Sequence, residues 1–461
     1  MNPSITLSNA MSALDGHLPA TDVLSPRAAL QSLSAITRGL MAYQPDTLWN
    51  TETARLPAPL QRLRHRARAF AQQELAPRAL QLDALPHWPV GQPPEALKDM
   101  LACAGRAGWL TDMLPAPFGS ASWREYRHPL VLRSCIKVEE FSRVCGGQML
   151  LLCAHTLGLA PILLTGNPND LRRFVLPAFR ALQRGEPHLF AFAITEPGAG
   201  SDVEEGHGAA QLRPGVVARR VDGGWHLNGR KCFISGGDMA RSLTVFAALE
   251  GEGMASWTCF LVRSDMPGFR ATRTELKMGM RASGAAELEF DNVFVPDSHV
   301  LGRLRKGWAL NRQTLNLSRL PVAAMGVGFA QAATDIALDY ACRTTLGGRA
   351  LVHDQAVQLC LAQMLAETST IRALVWQGAR TWAPRQSTAS MAKFHCTDVA
   401  MRVITLAMDL LGSHALDHSQ RLEKVYRDCR LTQIFEGTNQ INRLALIEDQ
   451  QEELLARIPP A

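Results

Sequence analysis

The sequence has no stretch approaching the roughly 18 uninterrupted apolar residues that carry a helix across a bilayer. No membrane span is therefore expected. The N-terminal region holds Asp15 and Asp22 and no basic cluster ahead of an apolar core, so neither a secretory signal nor a transit peptide is read there. Ten cysteines are scattered with no CxxC pair and no metal-ligand spacing. That excludes a motif-built metal site and reads as reduced, mostly buried thiols in a cytoplasmic protein. The concentrated basic stripe of a nucleic-acid binder is also missing. The net charge is +6, and the densest basic patch, residues 62–68, is broken by Leu63 and Ala67 and reads as a solvated helix face. A charge of this size suits a phosphate-bearing ligand and a generic basic surface equally. Internal repeats and low-complexity tracts are absent as well.

What is present is an ordinary globular composition, 47% apolar and 20% charged, in 461 residues. That length has room for about three domains. Residues 1–55 read as an N-terminal extension with one helix over 27–41. Residues 56–188 read as a helical domain, in which 148–164 is nearly all apolar and so deeply buried. Met149 and His155 are candidates to line a pocket there, although a histidine on such a face is more often a core residue. From residue 189 to 302 the apolar period changes to alternation and reads as a compact antiparallel β domain. Strands are expected over 190–195, 216–221, 225–227, 244–249 and 258–263, with Asp222, Gly223 and Gly224 as a hairpin turn. A strand pair broken at Asp291 and Asn292 closes the set at Pro296. Over 303–461 the helical period returns in long runs, the pattern of a four-helix bundle.

Four stretches point to chemistry. In residues 433–440, QIFEGTNQ, Glu436 stands between Phe435 and Gly437. An apolar neighbour strips water from a carboxylate and raises its pKa toward the range of a usable base. The glycine lets a ligand approach the backbone. The same glutamate alone reads more often as a solvated loop residue. TEPGAGSD at 195–202 follows a strand directly and forces a tight turn whose N–H groups can face a polar ligand. It is not a dinucleotide fingerprint, because the spacing differs and no parallel βαβ unit surrounds it. Phe233 and Ser235, two apart on a strand, fall on one side, suited to stacking on a flat ring and donating to its edge. Arg343 at a helix end is suited to hold a phosphate, or to complement the helix C-terminus.

In chain order, VEEFS (138–142), LGLAPI (157–162), TEPGAGSD (195–202), KCFIS (231–235), GMRAS (279–283), FDNVFVP (290–296), RTTLG (343–347) and IFEGTNQINR (434–443) resemble the acyl-CoA dehydrogenase family. The resemblance spans about residues 58–450 and implies that family's layout: a helical domain, a β domain and a helical bundle. It implies bound FAD, with Phe192, Ile194 and Thr195 along the flavin ring and Phe233 and Ser235 beside its reactive nitrogen. Gly200 and Ser201 would lie between flavin and thioester, and Thr438 and Gln440 toward the diphosphate and adenosine. Gly412 sits in the stretch matching a further diphosphate contact, while Arg343 and Gln355 match contacts given by a neighbouring subunit. Ser201, Arg319, Phe435 and Gly437 are the positions expected along the substrate. Glu436 matches the base of the short- and medium-chain members. Some relatives carry the base just before the arginine matching Arg319; here that residue is Ser318, which cannot serve as one. The implied reaction is removal of the α-proton by Glu436 and of the β-hydrogen as hydride to flavin, giving a trans-2-enoyl thioester. The implied partners are an acyl-CoA, an electron-transfer flavoprotein, and further copies of the chain as a homodimer or homotetramer, in fatty acid metabolism.

Three departures qualify the pattern. Asp409 replaces a neutral amide near the FAD diphosphate, residues 113–128 form a longer basic and aromatic loop, and the first fifty-five residues are additional. The altered loop raises an alternative, a biosynthetic dehydrogenase acting on an acyl group tethered to a carrier protein. A DNA-binding branch of the fold relies on an additional C-terminal region, whereas this chain ends soon after Glu436.

Overall fold

The computed structural model describes residues 34–35, 46–85, 88–204 and 206–457. The helix expected over 27–41 falls, but for two residues, outside this set. The helical part begins with α1 (Leu48–Ala54), α2 (Ala58–Phe70), α3 (Glu95–Arg106), α4 (Leu130–Ser142), α5 (Gly146–Thr165) and α6 (Leu176–Gln183). α5 carries no charged residue, so no face of it prefers water, and it lies in the core. It stops at Gly166, whose φ of +65° is a left-handed cap open to glycine. The basic patch on α2 is not simply a solvated face. Arg64 is fully buried against Glu139 and Glu140, because its neighbours Leu63 and Ala67 turn that side of the helix inward.

The sheet runs in the order β6-β7-β3-β2-β4-β5-β8. Its strands are β1 (Leu189–Ala193), β2 (Val216–Val221), β3 (Gly224–Ser235), β4 (Ala240–Leu249), β5 (Thr258–Arg263), β6 (Phe269–Thr274), β7 (Ala285–Pro296) and β8 (Val300–Leu301). Most pairs are antiparallel, but β1 and β2 each run parallel to β4, which corrects the all-antiparallel expectation. The pair expected around Asp291 and Asn292 is one strand, β7. Asn292 takes a φ of +49° within it and the register against β3 slips there, so the break is a bulge. β1 lies directly on α5: a Cβ on Gly158 would stand 2.7 Å from the backbone N of Ala191. This contact sets the start of the TEPGAGSD turn against the helical core.

α7 (Gly307–Arg343) then runs for 37 residues and packs on α4, α8 (Gln355–Gly378) and α9 (Gln386–Leu411). α10 (Leu422–Leu431) and α11 (Asn439–Glu448) complete the bundle. Three helical segments are long and apolar enough to cross a membrane, contrary to the reading from uninterrupted runs: residues 146–165, 307–343 and 386–416. The first two are largely buried inside the protein, 67% and 78% of the apolar window, so packing accounts for their composition.

Candidate active site

The turn between α10 and α11 places Glu436 at a φ of +56°, a conformation costly for a residue with a Cβ, followed by Gly437 at +78°. Three side chains hold that strain. Asn442 Nδ2 donates to the carbonyls of Gly437 (2.9 Å) and Thr438 (3.0 Å). Lys393 Nζ donates to Gly437 O (2.6 Å) and Asn439 Oδ1 (2.8 Å). Thr438 caps α11 by accepting from the Ile441 N–H, while its own N–H donates to Ser201 Oγ at 3.0 Å. Gly437 is required twice over, since a Cβ there would also meet Glu204 Oε2 at 2.6 Å.

Glu436 opens on a cavity of about 710 Å³ between the β domain and the helices. Burial pushes its carboxyl up to about 7. A hydrogen bond from Ser318 opposes the rise, the nearby Glu204 carboxylate adds to it, and Arg319 and Lys393 oppose it. Ser318 Oγ stands 2.8 Å from Glu436 Oε2. Glu204 is itself pushed up by burial and held by Arg319, whose Nη2 donates to it at 2.7 Å. Lys393 is driven down to about 7 by burial, against the pull of Glu204 and Glu436. Two acids and two cationic groups therefore surround one turn of backbone. Both acids line the cavity, and of the two Glu436 has no cationic hydrogen-bond partner among the described residues and a carboxyl raised to about 7, in the range suited to a base.

Of the residues singled out in the sequence, Phe192, Ile194, Thr195, Gly200, Ser201, Phe233, Ser235, Phe435, Glu436, Gly437 and Thr438 all line this cavity. Phe233 does so differently from the strand geometry expected. Its φ is +55° and β3 slips register between Lys231 and Ile234, which bares the ring, 59% exposed, on the cavity. Arg319 does not line it. The guanidinium is buried on Glu204 and Ser390 Oγ, so its charge is spent on the protein rather than offered to substrate. His155 and Met149 are core residues. His155 Nε2 donates to Leu110 O and Nδ1 accepts from Phe190 N–H, and burial holds the ring down to about 4, neutral. Arg343, Gln355, Gly412 and Gln440 stand outside the cavity, with Arg343 paired to Asp339 at 2.8 Å.

Glu204, Ser318, Lys393 and Asn442 were missed as parts of the site. Ser318 cannot act as a base, yet its hydroxyl touches the Glu436 carboxyl. Glu204, Ser318 and Lys393 have no local signal, since each meets the turn across the fold; Asn442 lies within the 434–443 stretch itself, in the first turns of α11. The helical wall includes α4, through Leu130, Ser134 and Val138, together with α5 and α7. Asp83, His418 and Glu423 converge although their spacing shows no metal pattern. Arg427 ion-pairs with both acids and supplies the positive charge there.

Family models described as the N-terminal, middle and C-terminal domains of acyl-CoA dehydrogenase match residues 58–181, 191–293 and 305–450. The chain is 35% identical over 382 residues to cyclohex-1-ene-1-carbonyl-CoA dehydrogenase of Geobacter metallireducens, covering 82% of this chain and 94% of that one. Butyryl-CoA dehydrogenase from Megasphaera elsdenii superposes with a TM-score of 0.76 at 29% identity, covering 86% of this chain and 99% of that one. A chain from the structural study of the electron transferring flavoprotein of Acidaminococcus fermentans gives a TM-score of 0.75 at 30% identity, covering 87% and 99%.

Proposed function

The chain belongs to the acyl-CoA dehydrogenase family, and from that premise we propose that it oxidises an acyl-CoA to its trans-2-enoyl form with Glu436 as the base for the α-proton. One observation carries the reading: a carboxyl raised to about 7 opens on the cavity that Phe233, Ile194 and Thr195 also line. Members of the family depend on FAD. The residues present fit it, since the bared Phe233 ring offers a flat apolar surface and a Cβ on Gly200 would meet nothing within 4 Å. Phe192, Ile194, Thr195, Phe233 and Ser235 would hold the ring, and the N-terminus of α11 at Thr438 would face the diphosphate. When bound, the flavin supplies the acceptor for the β-hydride.

The chain's own part is to hold the thioester's α-carbon against Glu436 and to keep water away. The carboxylate takes the α-proton, and the Glu436 N–H donates to the carbonyl oxygen where charge builds up. A base near 7 is about half ionised at neutral pH and strong enough to share the proton in the transition state. Electrons would leave to an electron-transfer flavoprotein. Arg343 and Gln355, outside their own cavity, fit a homo-oligomer in which each copy completes its neighbour's cofactor site. Ten free thiols suit a reducing, cytoplasmic setting.

A carrier-protein-tethered acyl group is the second reading. It is favoured by the 113–128 loop, which adds Met113 to the cavity and bares Phe118 and Trp123 (55% and 59% exposed) beside Arg124. Purified protein should be yellow and should bleach anaerobically with a suitable acyl-CoA. A Glu436→Gln variant should keep its flavin and fail to bleach; parental bleaching by that variant would remove Glu436 as the base. A preference for carrier-tethered over CoA substrates in parallel assays would replace the first reading by the second.

A further inference from the structure

Resting on the assignment of Glu436 as the base, we propose that Ser318 is a positioning residue whose hydroxyl holds one oxygen of that carboxyl in both of its protonation states. Ser318 lies on α7 on the wall of the cavity. Its Oγ has two acceptors in reach, Glu436 Oε2 at 2.8 Å and its own helix's Leu315 O at 3.0 Å. A serine inside a helix ordinarily turns its proton back to such a carbonyl. One hydroxyl proton cannot serve both. When Glu436 is ionised, the hydroxyl donates to Oε2, a charge-assisted bond stronger than the neutral one to Leu315. The α-proton arrives from the cavity on Oε1, so Oε2 becomes the carbonyl oxygen of the neutral acid and still accepts from Ser318, by a weaker bond that Leu315 O now rivals. No heavy atom has to move between the two states. Oε2 stays tethered throughout, and Oε1 is left for the cavity.

No other group competes for this role. The charged and titratable groups facing Glu436 are Glu204 from the turn after β1, Arg319 from α7, Lys393 from α9 and Cys153 from α5. Arg319 is engaged by Glu204 and Ser390, and Lys393 by Gly437 O and Asn439. Among the described residues the Glu436 carboxylate has no other side-chain hydrogen bond. These neighbours act on it through space, whereas the hydroxyl sets its direction.

The test reads the carboxyl itself as well as the reaction. The Glu436 C=O stretch is followed in pH-difference infrared spectra of the flavin-loaded protein and assigned by its loss in Glu436→Gln. In Ser318→Ala its titration midpoint should rise by about one pH unit, because the ionised form loses the stronger bond. The acid limb of kcat/KM should move up with it, a loss of about tenfold well below the limb that closes at high pH. Ser318→Thr, which keeps the hydroxyl, should restore the parent midpoint. Should Ser318→Ala fail to fold, Ser318→Cys, a weak donor of similar size, should show the same upward shift. A midpoint in Ser318→Ala or Ser318→Cys that coincides with the parent's overturns the proposal. Parental flavin reduction by Glu436→Gln would instead overturn the assignment of the base, and the infrared titration would still judge the tether.

Discussion

Where α1, α2, α4 and α8 meet, Arg64 and Arg372 both donate to Glu139 at 2.8 Å, Arg64 also reaches Glu140, and Arg372 also reaches Glu52. Burial alone would raise Glu140, but the guanidiniums of Arg64, Arg68 and Arg143 outweigh it and hold the carboxyl below its ordinary range. At the cavity the same residue types are arranged the other way. The arginine there is taken by Glu204, the lysine by backbone carbonyl and amide oxygen, and Glu436 is left with a hydroxyl. Its carboxyl moves up to about 7. The contrast separates two uses of buried charge. Ion pairing fixes four helices to one another; pairing withheld from one acid leaves a carboxyl whose raised pKa suits a base.

The largest effect expected is kinetic and one-sided. Glu436→Gln should slow flavin reduction by about 10²–10⁴-fold with the fold intact, measured by anaerobic stopped flow with an acyl-CoA. Arg372→Met should do the reverse. It strands Glu52 as a buried charge with no ionic partner among the described residues and leaves Glu139 to Arg64 alone, a loss of about 3–5 kcal/mol in denaturant unfolding, while the acid limb of kcat/KM in the folded fraction stays where it was. A shifted limb in Arg372→Met would mean that the two clusters are not separate. Lys393→Met sits between them. It removes the donor to Gly437 O and a positive neighbour of Glu436, so kcat/KM should fall about tenfold and its acid limb should move to higher pH. An unchanged limb would show that Lys393 is neutral where Glu436 works.

The proposed base is legible in the sequence, but what tunes it is not. Glu436 is legible because its aromatic and glycine neighbours are adjacent in the chain. β2 and β5 are legible because alternation is a local property, and Val221 does pair with Gly224 across the turn read from Asp222, Gly223 and Gly224. β6 was not read: it is an edge strand, mostly solvated and rich in arginine, so its apolar period is diluted. The parallel pairing of β1 with β4 was unreadable because strand direction leaves no mark in a single segment. Arg64 hid in a patch whose other members are wholly or partly exposed, and only α4 across the core distinguishes it. Ser318 stands 118 residues from Glu436, and a serine on a helix has no period that announces such a contact.

The smallest effect is thermodynamic and draws the same line between the clusters. Glu436 has its folded pKa raised to about 7 from an unfolded value of about 4.3. The native state therefore keeps its proton after the unfolded state has released it. The stability this contributes is fully present below the unfolded value and is lost as pH rises through about 7. Glutamine does not titrate, so Glu436→Gln should match the parent near pH 4 and exceed it at pH 8, by about 1 kcal/mol once access of the carboxylate to the cavity is discounted. Thermal unfolding of parent and variant at the two pH values reads the difference directly. A variant less stable than the parent at pH 8 would mean that the carboxylate is paired in the native state after all, and the cavity cluster would then be of the same kind as the one around Arg372.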